Sequence, residues 1–576
     1  MIQQKKQVFK KVAILSVKMS LESTIEKHAL ANALKYNGKA NPGSVISKVI
    51  GEFPDAKKDM KTVSKQVQDA IKKINPMGVA EQEKLLREKY PEMLEEKPKE
   101  EHDLFAFLKI APGTKVVTAF PPEPSKYPHI GHAKACLLNY ELAKRNNGKF
   151  ILRFEDTNPE LAKTEFYDII QENLTWLGIE WDQLYYVSDM MNPIYEQAEK
   201  LIQKGLAYVC ACPSEKIKEH RMKGTACEHR SQTVEQTLTE WKKMFMSPEG
   251  SMILRAKTAA DHSNSAMRDP GLFRINEAPH CRTGTRYRVW PMYDFQNPIV
   301  DGLLGVTHRI RSKEFELRAE LHRWLQEQLG FSITQTFELA RFNLEGVESS
   351  GRIIREKIAN GELLGWDDPS LTTLVALRRR GFVPEGIKQF IFNTGISKSD
   401  STLTWDDLET QNRRILDKET DRYFFVCKPV KIEIQGAPSQ TVELDLHPDH
   451  RKGGRVFKTN TLFYLAENDT KKIEEGKLYR LMDCLNFTKK GEQYVFQTGG
   501  IEEYRKNGAG ILHWLPVDEQ QLVSVEVLRP TKEVDKGYAE KTVETIEAGK
   551  TIQFARYGFC RLDEKKDKFR FWYTHR

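Results

Sequence analysis

The stretch 116–159, VVTAFPPEPSKYPHIGHAKACLLNYELAKRNNGKFILRFEDTNP, limits what this chain can fold into more than any other. Val116, Val117, Ala119 and Phe120 form a short apolar run of the kind that fills a buried parallel strand. Prolines and Gly131 then break the pattern into a loop. Ala135, Leu138 and Leu142 share one stripe of a helix over 133–144, and Phe150, Ile151 and Leu152 make the next strand. Strand, loop, helix, strand is a parallel-sheet unit, and such sheets bind ligands beyond the carboxyl ends of their strands. Glu155 and Asp156 stand at that end of the second strand. His129, Gly131 and His132 stand at the helix start, where unpaired N–H groups and the positive end of the helix dipole suit a phosphate.

At 576 residues the length suggests roughly four domains. The eight cysteines are too sparse for a disulfide framework. No apolar run is long enough to span a membrane. Residues 1–19 are basic and then briefly apolar, too short for a signal peptide, so a cytoplasmic protein is expected, with Met1 or Met19 as its start. A net charge of +8 suits a polyanionic partner and equally suits mere solubility.

The patterning predicts a helical N-terminal extension over 1–112, with helices at 21–36, 57–77 and 80–90, Ser44 as a cap after the turn at 41–43, and a charged linker at 95–103. A catalytic domain follows over 113–385, carrying an insertion at 206–285, then a helical connecting subdomain over 386–426. From 427 to 576 the period changes to alternation at turn-punctuated spacing, the mark of β-barrels or a sandwich. Within the insertion, Cys210, Cys212, Cys227 and His229 combine a CxC with a CxH, the four soft or borderline ligands of a tetrahedral zinc site. Buried free cysteines are the competing reading.

His129-Ile130-Gly131-His132 resembles the HIGH signature of class I aminoacyl-tRNA synthetases. FPPEP before it and RFEDTNPE after it resemble the glutamyl/glutaminyl branch, as do GWDDP at 365–369 and LRRRG at 377–381. The barrels point to the archaeal/eukaryotic type of glutamyl-tRNA synthetase, or to the glutaminyl architecture. The fold class implied is a multidomain chain: an α/β Rossmann-like catalytic domain, a helical N-terminal extension and C-terminal antiparallel β-barrels that bind the anticodon. The resemblance implies ATP with Mg²⁺, L-glutamate and tRNA-Glu as ligands, with tRNA-Gln left open, and a monomer. Bacterial members of the branch carry a comparable zinc site beside the tRNA acceptor end.

The resemblance also distributes roles. His129, Gly131 and His132 would contact ATP. Glu123 and Glu155 would meet the substrate ammonium group. The run 290–295 would be a strand of the second half-sheet, and Tyr293 would line the amino-acid pocket. Arg311 would face the substrate side chain, and a guanidinium fork there favours a γ-carboxylate over an amide. Ser350 matches the second signature, KMSKS, within 341–355. Two positions depart from the family. Gly351 stands where the signature lysine is expected, with Arg352 as the neighbouring cation. Ala119 stands where an arginine normally helps hold the amino acid, with Lys126 a candidate replacement. Arg378, Arg379 and Arg380 at a helix end suit tRNA phosphates, or simply solvent. The rival readings are a glutaminyl enzyme and a catalytically weakened tRNA-binding paralogue.

Overall fold

The computed structural model describes residues 20–576 except 36–37, 54–55, 57–58, 94–103, 341, 343, 349, 400–402 and 567. The two candidate starts, the linker expected at 95–103, and Arg341 and Ser349 of the second signature lie outside the described residues. The chain divides into two compact units, Met1–Asp103 and Leu104–Arg576.

The first unit is helical: α1 (Leu21–Lys35), α2 (Pro42–Glu52), α3 (Met60–Ile74) and α4 (Val79–Lys89). Its core is built from one stripe of each, including Leu30, Val49, Val67 and Leu86. The cap of α2 is Asn41 rather than the expected Ser44. Pro42 occupies the first helical position, so the preceding asparagine becomes the cap and accepts the Ser44 N–H at 3.1 Å.

The second unit opens with β1 (Val117–Phe120), α5 (Ile130–Arg145), β2 (Lys149–Phe154), α6 (Thr164–Trp176), β3 (Gln183–Tyr186) and α7 (Met191–Gln203). The three strands are parallel in the order β1-β2-β3. The chain then leaves to form an antiparallel sheet, β4 (Ala207–Cys210), β5 (Ile253–Ala256), β6 (Gly271–Ile275) and β7 (Val289–Pro291), paired in sequence order. The expected second-half strand at 290–295 is therefore corrected. Trp290 closes the edge of the insertion sheet, opposite Arg274 of β6, and Tyr293 opens α10. Here α8 (Ser214–Lys223) and α9 (Val234–Met244) are the insertion's helices, and α10 is Tyr293–Leu304. A proline tolerated at a strand edge fits that position.

The parallel sheet resumes with β8 (His308–Ser312), paired in parallel with β9 (Gln335–Leu339) across α11 (Ala319–Leu329). The Thr307 N–H donates to the Val117 carbonyl at 2.9 Å, which sets β8 beside β1 on the side away from β2. The first strand thus lies between the two halves, the reversal point at which doubly wound sheets open a ligand crevice.

Four helices follow: α12 (Gly351–Ala359), α13 (Leu374–Arg380), α14 (Pro384–Asn393) and α15 (Trp405–Glu419). The barrel strands begin at Arg422, slightly before the expected 427, with β10 (Arg422–Tyr423) and β11 (Phe425–Cys427). These two are separated by Phe424 alone, yet they end a seven-strand order that otherwise uses 522–575, so the sheet curls until its edges meet. Apart from a separate antiparallel pair, Gln440–His447 with Arg451–Thr459, the strands of 429–516 form a second such sheet whose edge strands, Gly508–Leu512 and Leu515–Pro516, are separated only by His513 and Trp514. Each barrel has its own aromatic core, around Trp514, Phe457 and Phe463 in one and Phe425, Phe554 and Phe571 in the other. Both mix parallel pairs with the expected antiparallel ones.

Candidate active site

The loop after β1, the first turn of α5, the end of β2, the start of α10 and strand β8 surround a cavity of about 740 Å³. Glu123, His129, Gly131, His132, Glu155, Tyr293 and Arg311 all line it. Sequence positions far apart are thus brought to one place.

His129 is the N-cap of α5. Its Nδ1 accepts the Gly131 N–H at 3.0 Å, while Nδ1 of His132 accepts the His129 N–H at 3.1 Å. With both Nδ1 atoms accepting, each neutral ring carries its proton on Nε2. Burial, helped by the charge of Lys126, pushes His129 down to about 4; burial, then His129 and Lys126, pushes His132 well below its ordinary value. The pair therefore acts as neutral donors. Gly131 is required locally: a Cβ there would stand 2.8 Å from Cε1 of the His129 ring. Backbone hydrogen bonds, Ile130 N–H to Thr372 and Leu374 N–H to Pro128, pin the signature to the segment before α13.

Beneath the other end of the cavity lies a buried polar network. Arg153 donates to Glu155 and to Asp301, each at 2.7 Å, and Arg309 contacts Asp301 and Asn297. Asn297 also donates to Glu155. Burial raises the Glu155 carboxyl above the usual range against the pull of Arg153 and Arg309. Both of these hydrogen bonds fall on Oε1, so Oε2 has no hydrogen bond among the described residues. Tyr293 packs on Phe315 and His322, with its phenol pushed up to about 12 by burial first of all.

Arg311 is 6% exposed. One nitrogen donates to His322 Nδ1 at 3.2 Å, and burial holds that imidazole neutral, down to about 4. Nη2 lies 3.8 Å from Glu338, beyond hydrogen-bond range, and Nε and Nη2 are buried without an acceptor among the described residues. A buried guanidinium with idle N–H groups is costly unless a ligand meets it.

Other expected residues fall elsewhere. Arg352 does not line the cavity: its side chain is 74% exposed and pairs with Glu356 one turn on. Ser350 caps α12, its N–H donating to Glu348 at 2.7 Å. Of the three arginines at the end of α13, Arg379 and Arg380 are also corrected. Arg380 is 1% exposed and donates to the carbonyls of Thr574 and Pro369, while Arg379 forks onto Asp563 and also holds Asp367. Both are fasteners between α13 and the last barrel strands, because protein acceptors already meet them. Arg378 alone stays at the surface, paired with Glu172. Three cavity residues that sequence reading passed over are Lys134, Arg274 and Arg309. Arg309 was within reach, since it is two residues before Arg311 and side chains on a strand repeat every second residue.

Cys210 and Cys212 at the end of β4, with Cys227 and His229 on the facing turn, place their ligand atoms within 4.8 Å of one another. Cys210 and Cys227 sulfurs are 3.7 Å apart, and the edge of a tetrahedron with ~2.3 Å metal–sulfur bonds is about 3.8 Å.

This arrangement, a split parallel sheet with a helix-start histidine pair above one strand and a buried cation on the next, is a ligand crevice at the reversal point of a doubly wound α/β fold. Comparison with known sequences specifies the family. Residues 115–418 match the catalytic domain of the class I tRNA synthetases (E and Q), and residues 420–503 and 511–563 match two anticodon-binding domains of the same group. The chain is 40% identical over 577 residues to the glutamate–tRNA ligase of Pyrococcus furiosus, covering 97% of this chain and all of that one. It is 39% identical to that of Methanothermobacter thermautotrophicus, over 96% of this chain and all of the relative. Against the Methanocaldococcus jannaschii enzyme the identity is 36%, again over 96% of this chain and the whole relative. The chain belongs to the class I tRNA synthetases of the E and Q family.

Proposed function

We infer that the chain is a glutamate–tRNA ligase: it condenses L-glutamate with ATP to glutamyl-adenylate and pyrophosphate, then transfers the glutamyl group to the 3′ end of tRNA-Glu. The full-length relatives carry that activity in their names. Among this chain's own features, the idle donors of Arg311 carry the reading furthest. A γ-carboxylate would satisfy Nε and Nη2 together, and an amide, with one neutral acceptor oxygen, would leave one of these donors idle.

The remaining roles follow from position. The neutral Nε2–H groups of His129 and His132 and the first turn of α5 favour ATP phosphates, with Ser350 on the adjoining turn. Mg²⁺ would be held mainly by those phosphates. Oε2 of Glu155, with Glu123 nearby on the rim, suits the substrate ammonium, and Tyr293 closes the side-chain pocket. Ala119 leaves the amino-acid end short of a cation. Arg309, which lines the cavity from β8, is the cation that would take over that charge. Catalysis is by positioning and charge stabilisation, with no covalent enzyme intermediate. The barrels favour the anticodon arm, with tRNA-Gln as a further substrate left to their contacts, and Arg378 favours backbone phosphate.

The donor set and spacing of Cys210, Cys212, Cys227 and His229 fit Zn²⁺, which would staple the turn onto β4. The guanidinium of Arg255 and the Tyr208 hydroxyl sit near the Cys227 sulfur, both at 3.9 Å. No helix among the described residues is long and apolar enough to cross a membrane, consistent with an enzyme of the cytoplasm.

Exchange of pyrophosphate into ATP, with tRNA present, tests the reading. Exchange with glutamate alone is expected. Exchange with glutamine alone would make this the other member of the branch, and none with either would make it a tRNA-binding relative.

A further inference from the structure

The nucleotide end of the cavity is short of positive charge at the place where the second signature should provide it. Gly351 has no side chain, Arg352 turns to solvent and to Glu356, and Arg355, whose Nη1 would be 3.8 Å from a Cβ on Gly351, does not line the cavity. Both histidines are neutral, so they offer dipoles rather than charge. ATP brings several negative charges, and forming the adenylate drives more onto the departing pyrophosphate, so a fixed cation is needed there.

Lys126 stands at this spot. It lies in the loop after β1, lines the cavity beside His129, and its charge is felt by both imidazoles. Its stem runs directly over Gly351: a Cβ added to that glycine would meet Cδ of Lys126 at 3.2 Å, and Cβ at 3.7 Å. The backbone of 351 and the side chain of 126 thus share one small space, and a side chain at 351 would press on the lysine stem. The loop that carries Lys126 is held firmly. Tyr127 stacks on Trp366 with ring centroids 5.2 Å apart and planes 17° from parallel, and the Lys163 N–H donates to the Pro124 carbonyl at 3.0 Å. No carboxylate partners Lys126 among the described residues. The other cavity lysine on this side, Lys134, is tucked against Phe342, 4.6 Å from the ring centroid, and burial pushes it down to about 8.

We propose that Lys126 is the catalytic cation of adenylate formation in this chain, contributed from the fixed loop after β1 across Gly351 instead of from the signature loop itself. The inference rests on reading the His129–His132 end as the ATP-phosphate site. The bond chemistry is unchanged: the glutamate carboxylate attacks the α-phosphorus, the α–β phosphoanhydride breaks, and the Lys126 ammonium offsets charge on the leaving pyrophosphate without giving up its proton.

The test is glutamate-dependent ATP–pyrophosphate exchange with tRNA present. Lys126→Met keeps the stem and removes the charge, and is expected to lower kcat by about 100-fold. Lys126→Arg should retain most of the rate, and Lys126→Gly combined with Gly351→Lys should recover at least tenfold over Lys126→Met, roughly half the lost stabilisation. Arg352→Ala should cost less than Lys126→Met. The inference is overturned if Lys126→Met exchanges like the parent, or if Lys126→Arg and the double variant are as slow as Lys126→Met, which would mark a packing role. Full exchange in Lys126→Met with His132→Ala inactive sinks the inference alone; full exchange in both would sink the phosphate-site reading as well.

Discussion

Two groups of arginines in the second unit, one at the barrel junction and one in the cavity, are arranged oppositely. At the junction of α13 with the last barrel strands, Arg379 and Arg380 meet two aspartates, two carbonyls and, at 3.5 Å, Glu409; Arg379 also lies over the Trp572 ring. In the cavity, Arg311 has one neutral imidazole acceptor and two idle nitrogens. The first arrangement uses most of its hydrogen-bonding capacity in holding the fold, with Nε of Arg380 left without a partner among the described residues. The second keeps capacity in reserve, which only a ligand can use. Charge by itself does not distinguish a fastener from a socket; the balance of donors and acceptors does.

The largest expected effect breaks the socket. Arg311→Ala should reduce glutamate-dependent exchange by about three orders of magnitude, since the pocket then lacks the partner of a desolvated carboxylate. Its thermal midpoint should move little, because the native structure loses one imidazole hydrogen bond, a ring contact with Phe315 and a 3.8 Å approach to Glu338, which keeps Lys398 as a partner. Near-normal exchange would remove Arg311 from the pocket. The matching substitution on the other side is Arg380→Ala. Removing one partner of a buried, hydrogen-bonded charge cluster should cost about 3 kcal/mol of barrel-junction stability in urea unfolding. Exchange per folded molecule should stay at the parent level. If Arg380→Ala instead impairs tRNA binding without loss of stability, it is not a fastener.

The zinc knuckle is intermediate between the two: a cluster incomplete without a ligand, yet one that serves the fold. One zinc per chain is expected by metal analysis. Cys212→Ser should release it and lower the stability of the insertion by less than a full structural site provides, because the sheet β4–β7 has a core of its own around Trp241 and Phe273. Absence of zinc together with unchanged stability would leave three buried free thiols beside a half-buried histidine and no knuckle.

The sockets were more legible in the sequence than the fasteners, and for a physical reason. His129-Ile130-Gly131-His132 and the CxC/CxH set are local, and their chemistry is carried by residue type and spacing. Alternation revealed some barrel strands, Pro429–Gln435 and Leu522–Leu528 among them, for the same reason. Arg451–Thr459, Leu462–Ala466, Val534–Glu540 and Phe569–His575 were among those missed, the first because its Arg-Lys-Gly-Gly start carries no apolar period. Arg378, Arg379 and Arg380 read alike as surface charge, and their separation into one exposed and two fastened residues depends on Asp563 and Thr574 near the chain end. Lys126 drew notice as charge near Ala119. That it lies over Gly351 is a tertiary fact that neither segment contains.

The smallest effect separates the regions by pH. His322 supports Arg311 in the cavity, and His575 sits at the barrel junction against Asn412. Burial pushes the first down to about 4 and the second to about 3. Each folded-state value lies below the ordinary one near 6.5, so between these values the unfolded chain binds a proton that the folded chain does not. Stability is therefore full above about pH 6.5 and falls as pH drops, by about 1.4 kcal/mol per histidine at pH 5.5. His322→Gln and His575→Gln should each flatten that slope in urea unfolding between pH 7.5 and 5.5. Only His322→Gln should also change the acid side of glutamate-dependent exchange, because a protonated His322 would repel the Arg311 guanidinium it now accepts from. Equal effects of both variants on exchange would mean that the cavity and the junction are one electrostatic unit, and the contrast between socket and fastener would fail.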